Sequence, residues 1–342
     1  MNFFPGRKMN ESAGWYFPTT ARAMKLAAIR RNVIFASLLL AVSAILLPHA
    51  GQASSLSSPS SSHAAGDTFN TKRLAWVTGA HIVGFTGALI ILDQAWYSDH
   101  PRSSFHFFDD SKDWKQMDKM GHIASTYHLS RFSHKSFRWS GLSNGQSALW
   151  GSISGTLFLT TIEILDGFSA EWGASWSDMA ANLLGSGTFY VQQRTWQEQK
   201  ILWKYSYSSS GMAQYRPDLL GASTGERLLK DYNGMTFWLS FNLPSLTNSD
   251  YNVPPWLNLA LGYGAHGLLG STHNPAFQNG EPLPHYHRYR SWYLAPDIDF
   301  SRIPTQSGFL QQVFSVMNIV KLPAPAIEYN SYNGWQWHWV FF

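Results

Sequence analysis

The chain has 342 residues, 44% of them hydrophobic and 15% aromatic, enough apolar side chain for a large core, which excludes disorder throughout. Its net charge of +4 belongs to residues 1–53, where Arg7, Lys8, Arg22, Lys25, Arg30 and Arg31 face Glu11 alone; the remainder holds 19 basic and 20 acidic residues, which argues against nucleic-acid binding. With no cysteine, these residues exclude a disulfide framework, a thiolate metal site, a catalytic cysteine and a lipid-modified cysteine.

The first element has the three parts of a secretory signal: a positive stretch ending at Arg30 and Arg31, an apolar run from Val33 to Leu47, and the small residues Ala50, Gly51 and Ala53. Cleavage is expected after Ala50 or Ala53, and a start at Met24 would make the signal compact. An uncleaved anchor is the alternative, although the run is short for a span of about 20 residues. Residues 54–70 are rich in Ser, Gly and Ala and read as a flexible tether. From Leu74 to Leu92 only His81 interrupts an apolar segment, which reads equally as a membrane-inserted or membrane-lying helix and as a buried core helix.

An aromatic and acidic surface loop leads to a polar helix starting near Lys115, followed by an apolar helix over about Ala148 to Leu165 whose Gly and Ser residues permit close packing. A third helix is expected to start at Ser177, as N-cap, with Asp178 in its first turn. Past about residue 230, MTFWLSFNL, WLNLALGYGAHGLL, SWYLAPDIDF and WQWHWVFF read as strands, and SGFLQQVFSVMNIV as a helix stopped by LPAPA. A terminal Phe342 after an aromatic strand can mark an outer-membrane barrel, but four candidate strands are too few for a single-chain barrel of at least eight. The expected fold is mainly α: a helical bundle with apolar helices, membrane-associated on one of the two readings, over residues 71–230, plus a small C-terminal region with β-strands over 231–342.

Three polar pairs sit at helical spacing in these helices: Asp118 with His122, Glu163 with Asp166, and Asp178 with Asn182, each pair on one helix face. If the helices pack together, these residues and Lys119 converge inside the bundle, where buried carboxylates need a cation, a lysine or hydrogen bonds. Two readings follow. In one, Asp118, His122, Glu163, Asp166 and Asp178 bind a divalent metal, with His122 and Lys119 as catalytic groups acting on an envelope lipid or glycan. In the other, Lys119 and His122 pair with the acids and Asn182 bonds across helices. With one histidine and no HExxH, the set favours Mg, Ca or Mn over Zn if a metal binds.

DKMGH, EILDGF and GASWSDMAANLLG, in that order, resemble the domain of unknown function 2279, the YfiM-like predicted periplasmic proteins. The stretches AWYSDHPRSSFHFFDD, LLKDYNGMTFWLS and NIVKLPAPAIEYN resemble its longer Bacteroidetes-type members. The resemblance implies an exported protein of the periplasm or membrane-associated cell envelope and no particular reaction. Many relatives are predicted lipoproteins, and this sequence departs from them in having no cysteine. A fainter likeness of DKxxH followed by E and DxxxN is to VanZ-like membrane proteins. The expectation is a non-enzymatic, membrane-associated structural or binding component, with a membrane or envelope lipid, or else a protein, as partner. The alternatives are a metal-assisted hydrolase or transferase and, more weakly, a transport subunit.

Overall fold

The computed structural model describes residues 69–93, 101–247 and 253–342. The expected leader, the tether up to residue 68 and residues 94–100 of the aromatic loop lie outside them.

Four long helices come first: α1 (Thr71–Leu92), α2 (Met117–Trp139), α3 (Asn144–Asp166) and α4 (Trp176–Thr195). Ser143 and Gln146 form a capping box that starts α3. The cap of α4 is Ser175, whose hydroxyl accepts from Asp178 N at 3.0 Å, and not Ser177 as expected. Ser177 turns its hydroxyl to Asp110 instead, at 2.7 Å. Helices α2, α3 and α4 pack on one another through residues too small to hold them apart. A Cβ on Gly151 would meet Ser130 O at 2.8 Å, and one on Gly185 would meet Ile123 O at 2.2 Å. This close approach is what the Gly and Ser of α3 and α4 supply.

Helix α1 lies against this bundle with Val77 as its buried residue. His81 fastens it. Its Nδ1–H donates to Val77 O at 2.8 Å, so Nε2 accepts the Ser133 hydroxyl of α2 at 2.9 Å, and its ring stacks on Phe137. Helices α1 and α3 are long and apolar enough to cross a membrane.

The rest of the chain forms a six-stranded antiparallel meander in sequence order, corrected here from the small strand region and mainly α fold that the sequence suggested. Its strands are β1 (Ile201–Tyr207), β2 (Met235–Phe241), β3 (Leu257–His266), β4 (Tyr289–Ile298), β5 (Ala324–Asn330) and β6 (Gly334–Phe341). Short helices and a two-residue hairpin interrupt it, and a fifth long helix, α5 (Gly308–Met317), precedes β5. The fold is α+β. Strand β1 escaped notice because Lys204 and Ser206 break its apolar run, and β5 because Pro325 reads as a breaker. Pro325 sits at a register irregularity between Ala324 and Ala326, where no ladder bond is forfeited.

The sheet is strongly curled. Val320 bridges to Tyr205 at the free edge of β1, yet Ala324 already belongs to β5. A flat sheet would separate them by about 24 Å, while the four residue steps between them reach about 14 Å at most. Trp238 of β2 and Phe341 of β6 likewise come to 6.0 Å between ring centroids although four strand spacings, about 19 Å when flat, lie between them. The inner face therefore closes on Trp238, Ala260, Tyr293, Ala295, Ala326 and Phe341. It also carries polar groups that satisfy one another: buried Lys204 Nζ lies 2.7 Å from Asp297 Oδ2, and Glu328 accepts from Ser291 and Asn330. On the other face, Trp203, Phe237 and Tyr263 join Met117, Ile123, Tyr127 and Phe189, which seats α2 and α4 on β1 to β3.

Gly185→Ala should lower unfolding stability by about 1–3 kcal/mol through overpacking against Ile123. Gly187→Ala, two residues on and open on all sides, should raise it by about 0.5–1 kcal/mol; urea unfolding of both variants checks the contrast.

Candidate functional site

The N-terminus of α2 is set by an unusual backbone. Trp114, Lys115 and Gln116 have φ of 47°, 50° and 67°, left-handed conformations that non-glycine residues rarely adopt in succession. Groups distant in sequence hold them: Trp114 N donates to Ser271 O, the Tyr263 hydroxyl donates to Lys115 O, and Arg290 donates to Gln116 Oε1. This aims the first turn of α2, with Asp118, Lys119 and His122, at α3 and α4.

Lys119 Nζ lies 2.6 Å from Asp110 Oδ2, 3.1 Å from Asp118 Oδ2 and 2.9 Å from Asp178 Oδ1. Its hydrogen bond to Asp178 goes to Oδ2 at 3.0 Å, which leaves Oδ1 near the charge but without a hydrogen bond. One turn on, His122 Nδ1 lies 3.0 Å from Asn182 Oδ1, to which it donates its proton. Nε2 then faces Glu163 Oε1 at 3.6 Å and Asp118 Oδ1 and Asp178 Oδ1 at 4.0 Å each. Thr126 also donates to Asn182 Oδ1, at 3.0 Å, and the Tyr232 hydroxyl donates to Asp118 Oδ1 at 2.7 Å. Glu163 accepts from Ser175 N through Oε2, while its Oε1 has no hydrogen-bond partner.

Of the seven residues singled out by sequence, six meet here: Asp118, Lys119, His122, Glu163, Asp178 and Asn182. Asp166 does not supply an oxygen near His122; it is half-buried near the end of α3 and acts on Glu163 as a neighbouring negative charge. The sequence reading missed Asp110, Ser175, Thr126 and Tyr232. Asp110 lies in an irregular loop and Tyr232 is 114 residues from its partner, so no helical spacing points to either.

The cluster holds four carboxylates and one lysine, an excess of three negative charges if all four are ionised and His122 is neutral. The environment distributes the strain. Burial tends to raise the Asp110 pKa, but hydrogen bonding with Asp178, Lys119, Ser175 and Ser177 holds it at about 2. Asp118 is also held below its ordinary value: burial is outweighed by His122 and Lys119. Burial and the Asp118 charge push Asp178 up, and burial pushes Glu163 up to about 7 against the pull of His122. Lys119 and His122 are buried, which alone would lower them, yet the surrounding carboxylates raise both.

Lys119→Ala would strand Asp110, Asp118 and Asp178 together, and should cost about 3–5 kcal/mol of stability. For Glu163, whose folded pKa lies above its unfolded value near 4.5, the stabilising contribution is complete below about pH 4.5 and is lost as pH rises through about 7. In chelator-containing buffer, Glu163→Gln should therefore gain on the natural chain as pH rises from 5 to 8, by up to about 3 kcal/mol, read from unfolding curves at each pH.

The family whose model matches residues 106–194 is described as Predicted periplasmic lipoprotein (DUF2279). Comparison with curated proteins and with solved structures gave no match. The matched span holds Asp110 and every member of the cluster on α2, α3 and α4, and its description makes this an exported protein of the periplasm or cell envelope. Over that span, about a quarter of its length, this chain is similar to the DUF2279 family.

Proposed function

We propose that the chain is a membrane-associated, non-enzymatic component of the cell envelope that binds lipid through the outer wall of its curled sheet. The observation that carries this reading is the inversion of the sheet's faces. In β4 the exposed positions are Arg290, Trp292, Leu294 and Pro296 while the buried ones include Ser291 and Asp297; in β5 they are Pro325, Ile327 and Tyr329 against Glu328 and Asn330. Strand β6 adds Trp335 and Trp339, 75% and 78% exposed, with Trp337 between them. A sheet facing water on its outside alternates the other way, with polar residues outward. Contiguous apolar surface of this kind marks a membrane or protein contact, and tryptophan favours the lipid–water boundary.

The helices support the same reading. Trp150, Leu157 and Ile164 recur every seven residues as an exposed stripe on α3, and on α4 Trp176 with Leu183 and Leu184 with Val191 are exposed at the same spacing. A groove of about 600 Å³ opens on the outer wall among Leu243, Leu257, Leu294, Pro296, Ile327 and Trp337, of a size and character suited to an apolar chain. Since these residues contain no cysteine, attachment here falls to apolar surfaces or to an uncleaved leader.

A second reading, a metal-assisted hydrolase or transferase, draws on the convergence of Glu163 and His122, whose ability to hold a cation is a separate matter.

The mature chain should float with phosphatidylethanolamine and phosphatidylglycerol vesicles in a density gradient. Replacing Trp335, Trp337 and Trp339 together by Ser should weaken that partition at least about tenfold with unchanged circular dichroism, since each buried aromatic contributes about 1.5–3 kcal/mol. A chain that stays in the aqueous fraction, or a triple variant that floats as well as its parent, would refute lipid binding by this wall.

A further inference from the structure

We infer that His122, Glu163, Asp118 and Asp178 form a site for one divalent cation of the oxygen-preferring class, the class of Mn2+ and Mg2+. The first ground is an unsatisfied donor set. Glu163 is 1% exposed, and its Oε1, which has no hydrogen-bond partner, points at His122 Nε2 from 3.6 Å. Asp178 Oδ1, on a side chain almost as deeply buried, also has no hydrogen bond. A buried carboxylate oxygen left without a donor costs several kcal/mol; Asp178 Oδ1 is offset by Lys119 Nζ at 2.9 Å, whereas Glu163 Oε1 has only His122 beside it.

The second ground is orientation. Asn182 takes the Nδ1 proton of His122, so the Nε2 lone pair of the neutral ring is directed among oxygens of Glu163, Asp118 and Asp178. With the ring neutral these electron-rich atoms repel one another, and either protons on them or a cation among them relieves that repulsion. Asn182 behind the imidazole and Tyr232 on Asp118 are the supporting hydrogen bonds by which ligands are held in position.

Distance is the third. An ion about 2.1–2.4 Å from each of four ligands in tetrahedral array would set them about 3.4–3.9 Å apart. The contacts from Nε2 are 3.6, 4.0 and 4.0 Å; ligand atoms of Asp118, His122 and Asp178 lie within 4.8 Å of one another, and Glu163, outside that group, joins it through its 3.6 Å contact with Nε2. Lys119 offsets part of this charge, its ammonium lying on Asp110 Oδ2, Asp118 Oδ2 and both oxygens of Asp178, and leaves Glu163 Oε1 without a hydrogen bond. One nitrogen and three carboxylate oxygens suit a harder divalent ion better than a thiophilic one.

This site does not depend on lipid binding, and vesicle flotation is expected to be the same in variants that lose the ion. The test is titration of the chelator-treated mature chain with Mn2+, following free ion by electron paramagnetic resonance and the bound ion by spin-echo modulation. One Mn2+ per chain is expected, with nitrogen-14 modulation from a coordinated imidazole. Glu163→Gln and His122→Ala should each weaken binding at least about tenfold, while Asp166→Asn leaves it within about twofold. No bound Mn2+ up to about 1 mM, a bound ion without the nitrogen signal, or equal binding by Glu163→Gln and His122→Ala would each overturn the assignment; the nitrogen signal of the natural chain decides the matter even if a variant fails to fold.

Discussion

Lys119 places one ammonium within 3.1 Å of oxygens from Asp110, Asp118 and Asp178, and much of the helical half depends on that contact. Asp110 belongs to the loop before α2, Asp178 to the first turn of α4, and Asp118 to α2 itself, so a single charge joins three separate stretches of backbone. Asp110 in turn orients Ser175 and Ser177, and Ser175 both caps α4 and donates its amide to Glu163 on α3. Without the lysine the acids would repel and the helix ends would lose their common anchor. A buried ion pair of this sort is a weak source of net stability but a strong specifier of one arrangement over others.

Both halves of the molecule bury many polar and small groups beside their aromatic core and leave many large apolar groups outside. In the helices Ser130, Ser133, Ser147 and Ser152 are buried, together with Gly151 and Gly185, while leucines and tryptophans point outward. In the sheet Lys204 and Asp297 pair inside the curl as Trp292 and Trp337 face out. Close backbone approach and satisfied hydrogen bonds add to burial of apolar area in holding such a protein together, and the exposed apolar area is what the proposed lipid contact would cover.

Sequence alone reveals the helical half well. The pairs at Asp118 and His122 and at Asp178 and Asn182 fall on the correct faces because helical spacing maps sequence onto space directly. The pair at Glu163 and Asp166 shows the limit of that rule, since three residues near a helix end leave one carboxylate in the cluster and carry the other past it. Asp110 and Tyr232 were invisible because loop and inter-element contacts have no period. The sheet was underestimated because its charged residues, Lys204 and Glu328, are buried, the reverse of what a strand pattern in water teaches.

The three left-handed residues before α2 tie the cluster to chain that is synthesised much later. Each costs about 1–2 kcal/mol, and the groups that compensate, on Tyr263, Ser271 and Arg290, all lie beyond residue 260. The stretch that defines the family by likeness is therefore not a self-sufficient folding unit in this molecule: a ribosome that has released residue 194 has delivered every helical member of the cluster but none of the clasps that set their angle. Assembly of the acids around Lys119 is a late, long-range event, and the curled sheet acts as a template for the helices that precede it.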